Sequence, residues 1–408
     1  MDEQLFAELD RRLADADAAL TTLYPGDRGV RQPIHTVYVP ADRFTAGTVG
    51  DWAEQARSVL REHGGAVADL GLPAEHAAEV YDRVRAKLGR EPIEDLRIDF
   101  EDGYGVRPDE QEDAAAVDAA RALADLLKAG TAPPYYGLRI KSLEAVSRRR
   151  GVRTLDLFVG ELAGVLTDGF VITLAKVTSV EQISAMVVVL QAIEEAHGTG
   201  PLKFEIQVET PQAILGADGR TPLPAMIRAG AGRVTGLHYG TYDYSASLGV
   251  AAAYQSMEHP VADHAKDVMQ LAAAGTGVFV CDGSTNVLPI GSREQVHAAW
   301  RLHQRLVRRS LERGIYQGWD MHPAQLPSRY LATYLFYREG LPTAATRLRA
   351  YVEGGNSGYL DEPATAAALA GFVLRGLECG ALDSTELDQL IGVDTPGLAK
   401  LARRPLRS

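Results

Sequence analysis

Ionisable side chains stand at or just beyond the ends of short apolar, β-type segments in this 408-residue sequence. Glu209 follows the segment Lys203–Val208, and Asp243 comes shortly after the segment Arg233–Tyr239. Two carboxylates completed by water molecules are a common way for proteins to hold Mg²⁺ or Mn²⁺. The pattern therefore indicates a divalent metal site, although each acid could instead cap the helix that begins beside it.

The densest acidic cluster lies at the end of the segment Leu96–Phe100, where Asp99 is followed by Glu101 and Asp102. Carboxylates this close together shift one another's pKa values, which suits proton transfer or outer-sphere binding of a metal. A solvated acidic turn would give the same pattern. The spacing excludes an EF-hand, and the nearby glycines lack the rest of a dinucleotide-binding motif.

Basic side chains follow two other segments. Arg139 and Lys141 lie two residues apart at the end of Tyr136–Ile140, so they share one face of a strand and could both point toward a common site. Arginine suits two-pronged binding of a substrate carboxylate, but an ion pair with a nearby acid is an equal alternative. Lys176 follows Phe170–Leu174 and could form a Schiff base, which a metal site would make unnecessary.

The segments that carry these residues alternate with longer segments of helical periodicity, rich in Ala, Leu, Glu and Arg. Eight strands separated by helices predict a parallel (β/α)8 TIM barrel or a large doubly wound sheet. In a barrel, the carboxyl ends of all strands meet at one rim, which would bring the ionisable side chains together. The predicted strands are Thr36–Val39, Leu96–Phe100, Tyr136–Ile140, Phe170–Leu174, Lys203–Val208, Arg233–Tyr239, Gly277–Cys281 and Gly318–Met321.

Two helical regions flank the predicted barrel. Apolar residues at helical spacing predict an amphipathic N-terminal helix over Leu5–Leu23. After Pro327 the β-type segments stop, and helical periodicity continues to the last residue. We therefore expect a barrel domain over residues 1–325 and a helical C-terminal extension over residues 326–408.

Composition narrows the possible partners. The chain has 42 Lys and Arg against 54 Asp and Glu, a formal charge of −12, with no basic cluster, so we expect no nucleic acid and no anionic membrane as a partner. The longest apolar stretch falls short of the roughly 18 residues that a membrane helix needs. The start of the sequence lacks the features of a secretory signal, and Cys281 and Cys379 are too few for a disulfide scaffold or a Cys-rich zinc site. We expect a soluble, cytoplasmic protein.

The motifs occur in an order that resembles the HpcH/HpaI aldolase and citrate lyase β-subunit-like superfamily. The resemblance covers about residues 35 to 325, and it rests on the ordered set because each motif is weak alone. Leu96–Asp102 is similar to the acidic second-strand motif, Leu138–Lys141 to the Arg-containing third strand and Thr173–Val177 to the Leu-Pro-Lys-Val stretch. Gln207–Thr210 and Gly240–Gly249 are similar to the strand and the loop that supply the metal-binding Glu and Asp, and Gly314–Gln325 to the motif that closes the barrel.

The resemblance implies a divalent-metal-dependent carbon–carbon lyase or aldolase with Mg²⁺ or Mn²⁺ bound through Glu209 and Asp243. The substrate would be a 2-oxo-acid-derived hydroxy acid or a hydroxyacyl thioester, cleaved through a metal-stabilised enolate. Arg139 would bind the carboxylate of the 2-oxo acid, and we expect Lys141 and Glu101 to contribute to the same substrate site. Members are commonly oligomeric, so a homo-oligomer is expected.

The resemblance does not identify the general base, for which Asp102, His238 and Asp320 are the candidates. It also does not carry over a coenzyme A site, because the sequence departs from the pattern at several positions, among them Ser247, where many members have an acid. Two other functions fit the same motifs: a malate-synthase-like enzyme that condenses an acyl-CoA, and a non-catalytic partner subunit that binds a 2-oxo acid.

Overall fold

The strands of the protein follow the predicted order closely. The structure is a computed structural model that describes residues 3–64, 73–355, 358–359 and 361–403. All eight predicted strands are confirmed, with ends shifted by one or two residues at most. They are β1 (His35–Pro40), β2 (Asp95–Asp99), β3 (Tyr135–Ile140), β4 (Phe170–Leu174), β5 (Lys203–Val208), β6 (Val234–Tyr239), β7 (Phe279–Cys281) and β8 (Gly318–Asp320).

The strands form a closed parallel barrel. Their hydrogen-bonded order is β7-β6-β5-β4-β3-β2-β1-β8. The last seam, between β7 and β8, is closed by a parallel bridge between Cys281 and Gln317. There the backbone N–H of Asp282 donates to the Gln317 carbonyl over 2.8 Å. The predicted TIM barrel is therefore confirmed, and the doubly wound sheet is excluded because both outer strands find a neighbour.

Helices surround the barrel and extend beyond it at both ends of the chain. Within the described ranges, no helix has both the length and the apolar character needed to cross a membrane. The helices are α1 (Glu3–Leu23), α2 (Thr48–His63), α3 (Ala74–Arg90), α4 (Asp109–Ala129), α5 (Arg148–Leu162), α6 (Val180–His197), α7 (Pro211–Ile214), α8 (Leu223–Ala229), α9 (Thr241–Ser247), α10 (Pro260–Ala273), α11 (Arg293–Glu312), α12 (Leu326–Glu353), α13 (Pro363–Cys379), α14 (Ser384–Ile391) and α15 (Thr395–Leu401).

The barrel interior is polar below the carboxyl-terminal rim. Arg97 on β2 donates to Glu205 on β5 over 2.9 Å and to Thr173 on β4 over 3.1 Å, and it also pairs with Asp95. His238 on β6 lies 3.0 Å from Glu205. A buried charge is tolerated only when it is paired and hydrogen-bonded. This network therefore fixes four strands relative to one another directly beneath the rim.

The C-terminal helices pack against one side of the barrel. α12 begins at Leu326 and contacts α2, α3 and α11, while α13, α14 and α15 pack on α12 or α13. Buried residues of α12 belong to the same hydrophobic cluster as those of the strands. The C-terminal extension is thus helical, as expected. It shares a hydrophobic core with the barrel, and the division of the chain into two domains stays a prediction.

One buried ion pair ties α12 to the last strand. Asp320, at the end of β8, is fully buried and accepts hydrogen bonds from Arg329 on α12, the shortest over 2.9 Å. His35 on β1 lies 2.8 Å from the same carboxylate. Burial alone would raise the pKa of Asp320, but Arg329 and His303 hold it well below the usual range for a carboxyl. Asp320 is therefore a buried anion that depends on its cationic partner.

Replacing Arg329 by methionine should destabilise the fold strongly. The substitution would leave the Asp320 carboxylate buried without its main counter-charge, which costs about 3–5 kcal/mol in comparable cases. The free energy of unfolding, measured by urea titration, would report the loss. Arg121→Met on α4 is the matched control, because Arg121 pairs with Glu161 at the surface and should contribute about 1 kcal/mol or less. Equal losses in both variants would contradict this role for the buried pair.

Candidate active site

The carboxyl-terminal rim is organised around the carboxylate of Asp99 at the end of β2. Arg139 on β3 donates to it through Nε over 2.7 Å and through Nη2 over 2.6 Å. The same carboxylate accepts the backbone N–H groups of Glu101 and Gly103 over 2.9 and 2.8 Å. Asp99 therefore fixes both the guanidinium and the acidic loop that follows the strand.

Arg139 lies at the centre of the rim on an aromatic surface. Its guanidinium carbon is 4.9 Å from the ring centre of Tyr38 on β1 and 5.9 Å from that of Trp319 on β8. Nη1 contacts Gln207 over 3.3 Å and lies 3.6 Å from Glu101. Since Nε and Nη2 already bind Asp99, Nη1 is the part of the fork that is least engaged. The nearby acids hold the pKa of Arg139 well above its ordinary value despite burial, so the group is a permanent cation.

Lys176 places its ammonium group among three carboxylates of this rim. Its Nζ contacts Glu101, lies 3.0 Å from both carboxylate oxygens of Asp102, and lies 3.3 Å from Asp243. Desolvation alone would lower the pKa of Lys176, but Glu209 and Glu101 raise it above its ordinary value. The carboxylates of this rim thus surround the ammonium group of Lys176 and make the site strongly anionic.

The backbone of Lys176 is held in an unusual conformation by Glu209. Lys176 has a φ of 51°, in the left-handed region that side chains other than glycine rarely adopt. Its N–H donates to Glu209 Oε1 over 2.7 Å. Backbone strain of this kind tends to occur at functional sites, where the surrounding contacts enforce it. The loop after β4 is therefore tied directly to the carboxylate at the end of β5.

Glu209 is almost fully buried at the end of β5. Its Oε2 accepts a hydrogen bond from the Gln207 side chain. Burial raises the pKa of Glu209 to about 8, against the lowering effect of Lys176 and Arg139. Neither this carboxylate nor that of Asp243 caps a helix: Asp243 lies in the first turn of α9 and contacts Lys176 instead. The helix-capping interpretation therefore does not describe either acid.

Glu209 and Asp243 lie on the same side of the barrel, close to one ammonium group. Within the described residues, no three His, Cys, Asp or Glu side chains converge as ready-made metal ligands. A site with two protein carboxylates, completed by substrate oxygens or water, is compatible with this arrangement. Cation binding also fits the chemistry of Glu209, because a positive charge beside a buried carboxyl favours its ionised form.

Three of the predicted site residues lie outside this cluster. The Lys141 ammonium turns outward to Glu112 on α4 over 2.7 Å, because the chain leaves the strand at this point and the alternation of faces ends. Asp320 binds Arg329 behind the barrel wall, and His238 points down into the interior network. The structure therefore brings together Glu101, Asp102, Arg139, Glu209 and Asp243 and separates them from the other three.

Sequence reasoning did not single out two aromatic residues of the rim. Tyr38 and Trp319 stack near Arg139 with ring centres 4.5 Å apart. The indole N–H of Trp319 is buried and has no hydrogen-bond partner among the described residues. Tyr38 lies on β1 and Trp319 on β8, and these two strands have the weakest β-type pattern in the sequence. Only the alternation of inward-facing and outward-facing positions along each strand could have indicated these two side chains.

One family model matches almost the whole chain. Residues 13–406 match the family described as "Domain of unknown function (DUF6986)", and the chain belongs to that family. No curated protein matches the sequence.

Solved structures with the same fold cover nearly the whole chain. Protein CitE from Mycobacterium tuberculosis, in complex with magnesium, acetoacetate and coenzyme A, is 18% identical with a TM-score of 0.50, over 86% of this chain and 99% of the other. Haloferax volcanii malate synthase, in complex with magnesium and glyoxylate, is 13% identical with a TM-score of 0.52, over 92% and 98%. At these identities the likeness establishes the fold, and at that level the predicted resemblance to citrate lyase β-subunit-like proteins is confirmed.

Gly240 should tolerate no side chain, because the backbone of β6 passes close to Glu209. A Cβ at this position would lie 2.8 Å from Glu209 Oε2 and closer still to its Cβ. Gly240→Ala should therefore displace the carboxylate and destabilise the protein by about 1–3 kcal/mol, measured by urea unfolding. Gly164→Ala is the control, since a Cβ there meets open space. Equal stability of the two variants would contradict the close approach.

Proposed function

We propose that this member of the DUF6986 family is a divalent-metal-dependent carbon–carbon lyase or aldolase. Its substrate would be a hydroxy acid derived from a 2-oxo acid, or the corresponding hydroxyacyl thioester. The observation that carries the proposal is the set of rim carboxylates gathered around Lys176, with Arg139 beside them. Such a rim offers binding of a cation and of a substrate carboxylate at adjacent positions, as cleavage next to a carbonyl requires.

Glu209 and Asp243 would hold the cation. When bound, a divalent cation would polarise the substrate carbonyl and stabilise the negative charge that develops on its oxygen. The carboxylate and keto oxygens of the substrate would complete its coordination. Lys176 would give up its central place among the carboxylates, keeping Glu101 and Asp102 as its partners.

Arg139 would bind the substrate carboxylate through Nη1. Asp99 positions the guanidinium from below, and the ring of Tyr38 fixes its plane. The indole N–H of Trp319, which has no hydrogen-bond partner in the described part of the chain, would be a second donor to a substrate oxygen in the same area. The rim would thus orient the 2-oxo acid end of the substrate before any bond changes.

Asp102 is the proposed general base. Its carboxylate is more than half exposed; desolvation would raise the pKa of Asp102, but the hydrogen bonds that it accepts from Lys176 help to hold this pKa below its ordinary value. It is therefore ionised at neutral pH and accessible to a substrate hydroxyl. In cleavage, Asp102 would take the hydroxyl proton, the hydroxyl oxygen would form a carbonyl, and the electron pair of the breaking carbon–carbon bond would move toward the 2-oxo group.

A condensing reaction with an acyl thioester is the second candidate. It would need a groove for the pantetheine arm of the thioester, and a largely apolar groove lies between α5 and α6. This α5–α6 groove has a volume of about 1220 Å³ and begins at Leu143 and Thr178, in the loops after β3 and β4. Arg148, Arg149 and Arg153 line it, and arginines suit the phosphates of coenzyme A. Product formation from glyoxylate and acetyl-CoA would favour this reaction over aldol cleavage.

Removing either proposed metal ligand should abolish metal-dependent substrate binding. Calorimetric titration with pyruvate, glyoxylate or oxaloacetate in the presence of Mg²⁺ should show binding to the wild type. In Glu209→Gln and in Asp243→Asn the affinity for the same compound should fall by about 100-fold or more. Glu110→Gln is the matched control, because Glu110 is an exposed acid in the first turn of α4, the helix that follows β2 on the same side of the barrel. Binding that survives both ligand substitutions would contradict the metal assignment.

Asp102→Asn should separate chemistry from binding. The variant should bind the 2-oxo acid with nearly wild-type affinity, while its turnover number falls by about 10²–10⁴-fold through loss of the base. A screen of hydroxy-acid and hydroxyacyl-CoA cleavage with the wild type identifies the substrate for this comparison. Tight binding of a 2-oxo acid without turnover of any of these substrates would instead favour a non-catalytic partner subunit.

A further inference from the structure

The first helix, α1, makes no extensive contact with another helix or strand among the described residues. It spans 21 residues, about 32 Å at the rise of an α-helix, and none of its residues is buried. Its large apolar side chains are between 37% and 61% exposed. Most helical stability in proteins comes from packing of an apolar face, and an isolated helix of this length is only marginally stable in water. The sequence of α1 is therefore that of a helix built to pack against something.

Six apolar residues of α1 follow a strict alternation of three-residue and four-residue spacings, and Leu5 lies beside the first of them. This heptad pattern produces the narrow seam of a coiled coil, whereas a helix that covers a globular core has a wider apolar face. The seam consists of Phe6, Leu9, Leu13, Ala16, Leu20 and Leu23. The seam runs from Phe6 to the last residue of the helix, so most of α1 is patterned for pairing with another helix.

The charges beside the seam favour one orientation of two α1 helices. In a parallel pair, Arg12 of one helix faces Asp17 of the other, and the contact occurs twice by symmetry. In an antiparallel pair, Asp10 would face Asp17, which is repulsive. Arg12 contacts Glu8 on its own helix over 2.6 Å, but the Arg12 side chain is 71% exposed, so its guanidinium can contact Asp17 of the second helix as well.

We propose that the α1 helices of two copies of this chain form a parallel two-stranded coiled coil that joins two barrels. The segment that follows the C-terminal end of α1 is fixed to the amino-terminal side of the barrel. There the Gly26 N–H donates to the Gly275 carbonyl over 2.8 Å, and Arg28 donates to the Thr235 carbonyl over 3.1 Å. The coiled coil therefore emerges from the side opposite the candidate active site, and dimerisation leaves both rims open.

Charge reversal tests the pairing in the full-length protein. Sedimentation equilibrium should show a dimer whose dissociation constant rises about tenfold in Asp17→Arg and in Arg12→Asp, and returns toward the wild-type value when both substitutions are combined. Asp15→Arg and Arg11→Asp are the matched controls, because they change the same charges on the outer face of the same helix and should leave the dimer unchanged. All of these residues are exposed, so the barrel should fold in every variant.

Cysteine cross-linking tests the parallel register. Ala16→Cys would place one thiol in the seam opposite its copy, and mild oxidation should give a disulfide-linked dimer. Ala18→Cys, on the outer face, should not cross-link. The two native cysteines are both buried and should contribute no background.

Three results would overturn the proposal. One is a monomer at all protein concentrations. Another is a dimer that Asp17→Arg and Leu13→Lys leave intact, which would assign association to another surface. The third is a dimer that Val188→Asp in the α5–α6 groove disrupts but that Asp17→Arg and Arg12→Asp leave unchanged. This result would mean that α1 docks in that groove of the second copy.

Discussion

The arrangement of the rim depends on one ammonium group surrounded by carboxylates. Without Lys176, the acids that follow β2, β5 and β6 would repel one another across a site that is partly closed to water. With it, they are held close together, although the buried Glu209 still has its pKa raised to about 8. The same concentration of negative charge is what makes this rim suitable for a divalent cation.

The lower barrel explains why this arrangement can be rigid. Arg97, Glu205 and their partners link β2, β4, β5 and β6 through buried ion pairs one layer beneath Asp99 and Arg139. A buried ionic network contributes little net stability, but it penalises any displacement of the strands that carry it. We infer that the network holds the strand ends in register, so that side chains from separate loops meet at fixed distances.

Much of the fold and part of the site could be predicted from the sequence. The strands Phe170–Leu174 and Lys203–Val208 were predicted to the residue because apolar periodicity changes sharply at their ends. Barrel geometry alone then gathers the acids at strand ends. The direction of the Lys141 side chain could not be predicted, because side chains beyond the end of a strand no longer alternate between its two faces. The direction of the Asp320 side chain could not be predicted either, because partners such as His35 lie far away in sequence.

The most direct measurement of the central claim is anomalous diffraction from a crystal soaked in Mn²⁺, with data collected near the manganese absorption edge. We expect a single strong peak in contact with the carboxylates of Glu209 and Asp243, with Lys176 Nζ moved away from Asp243. A peak at another surface of the barrel, or an unchanged Lys176 among the same carboxylates at saturating Mn²⁺, would contradict the account.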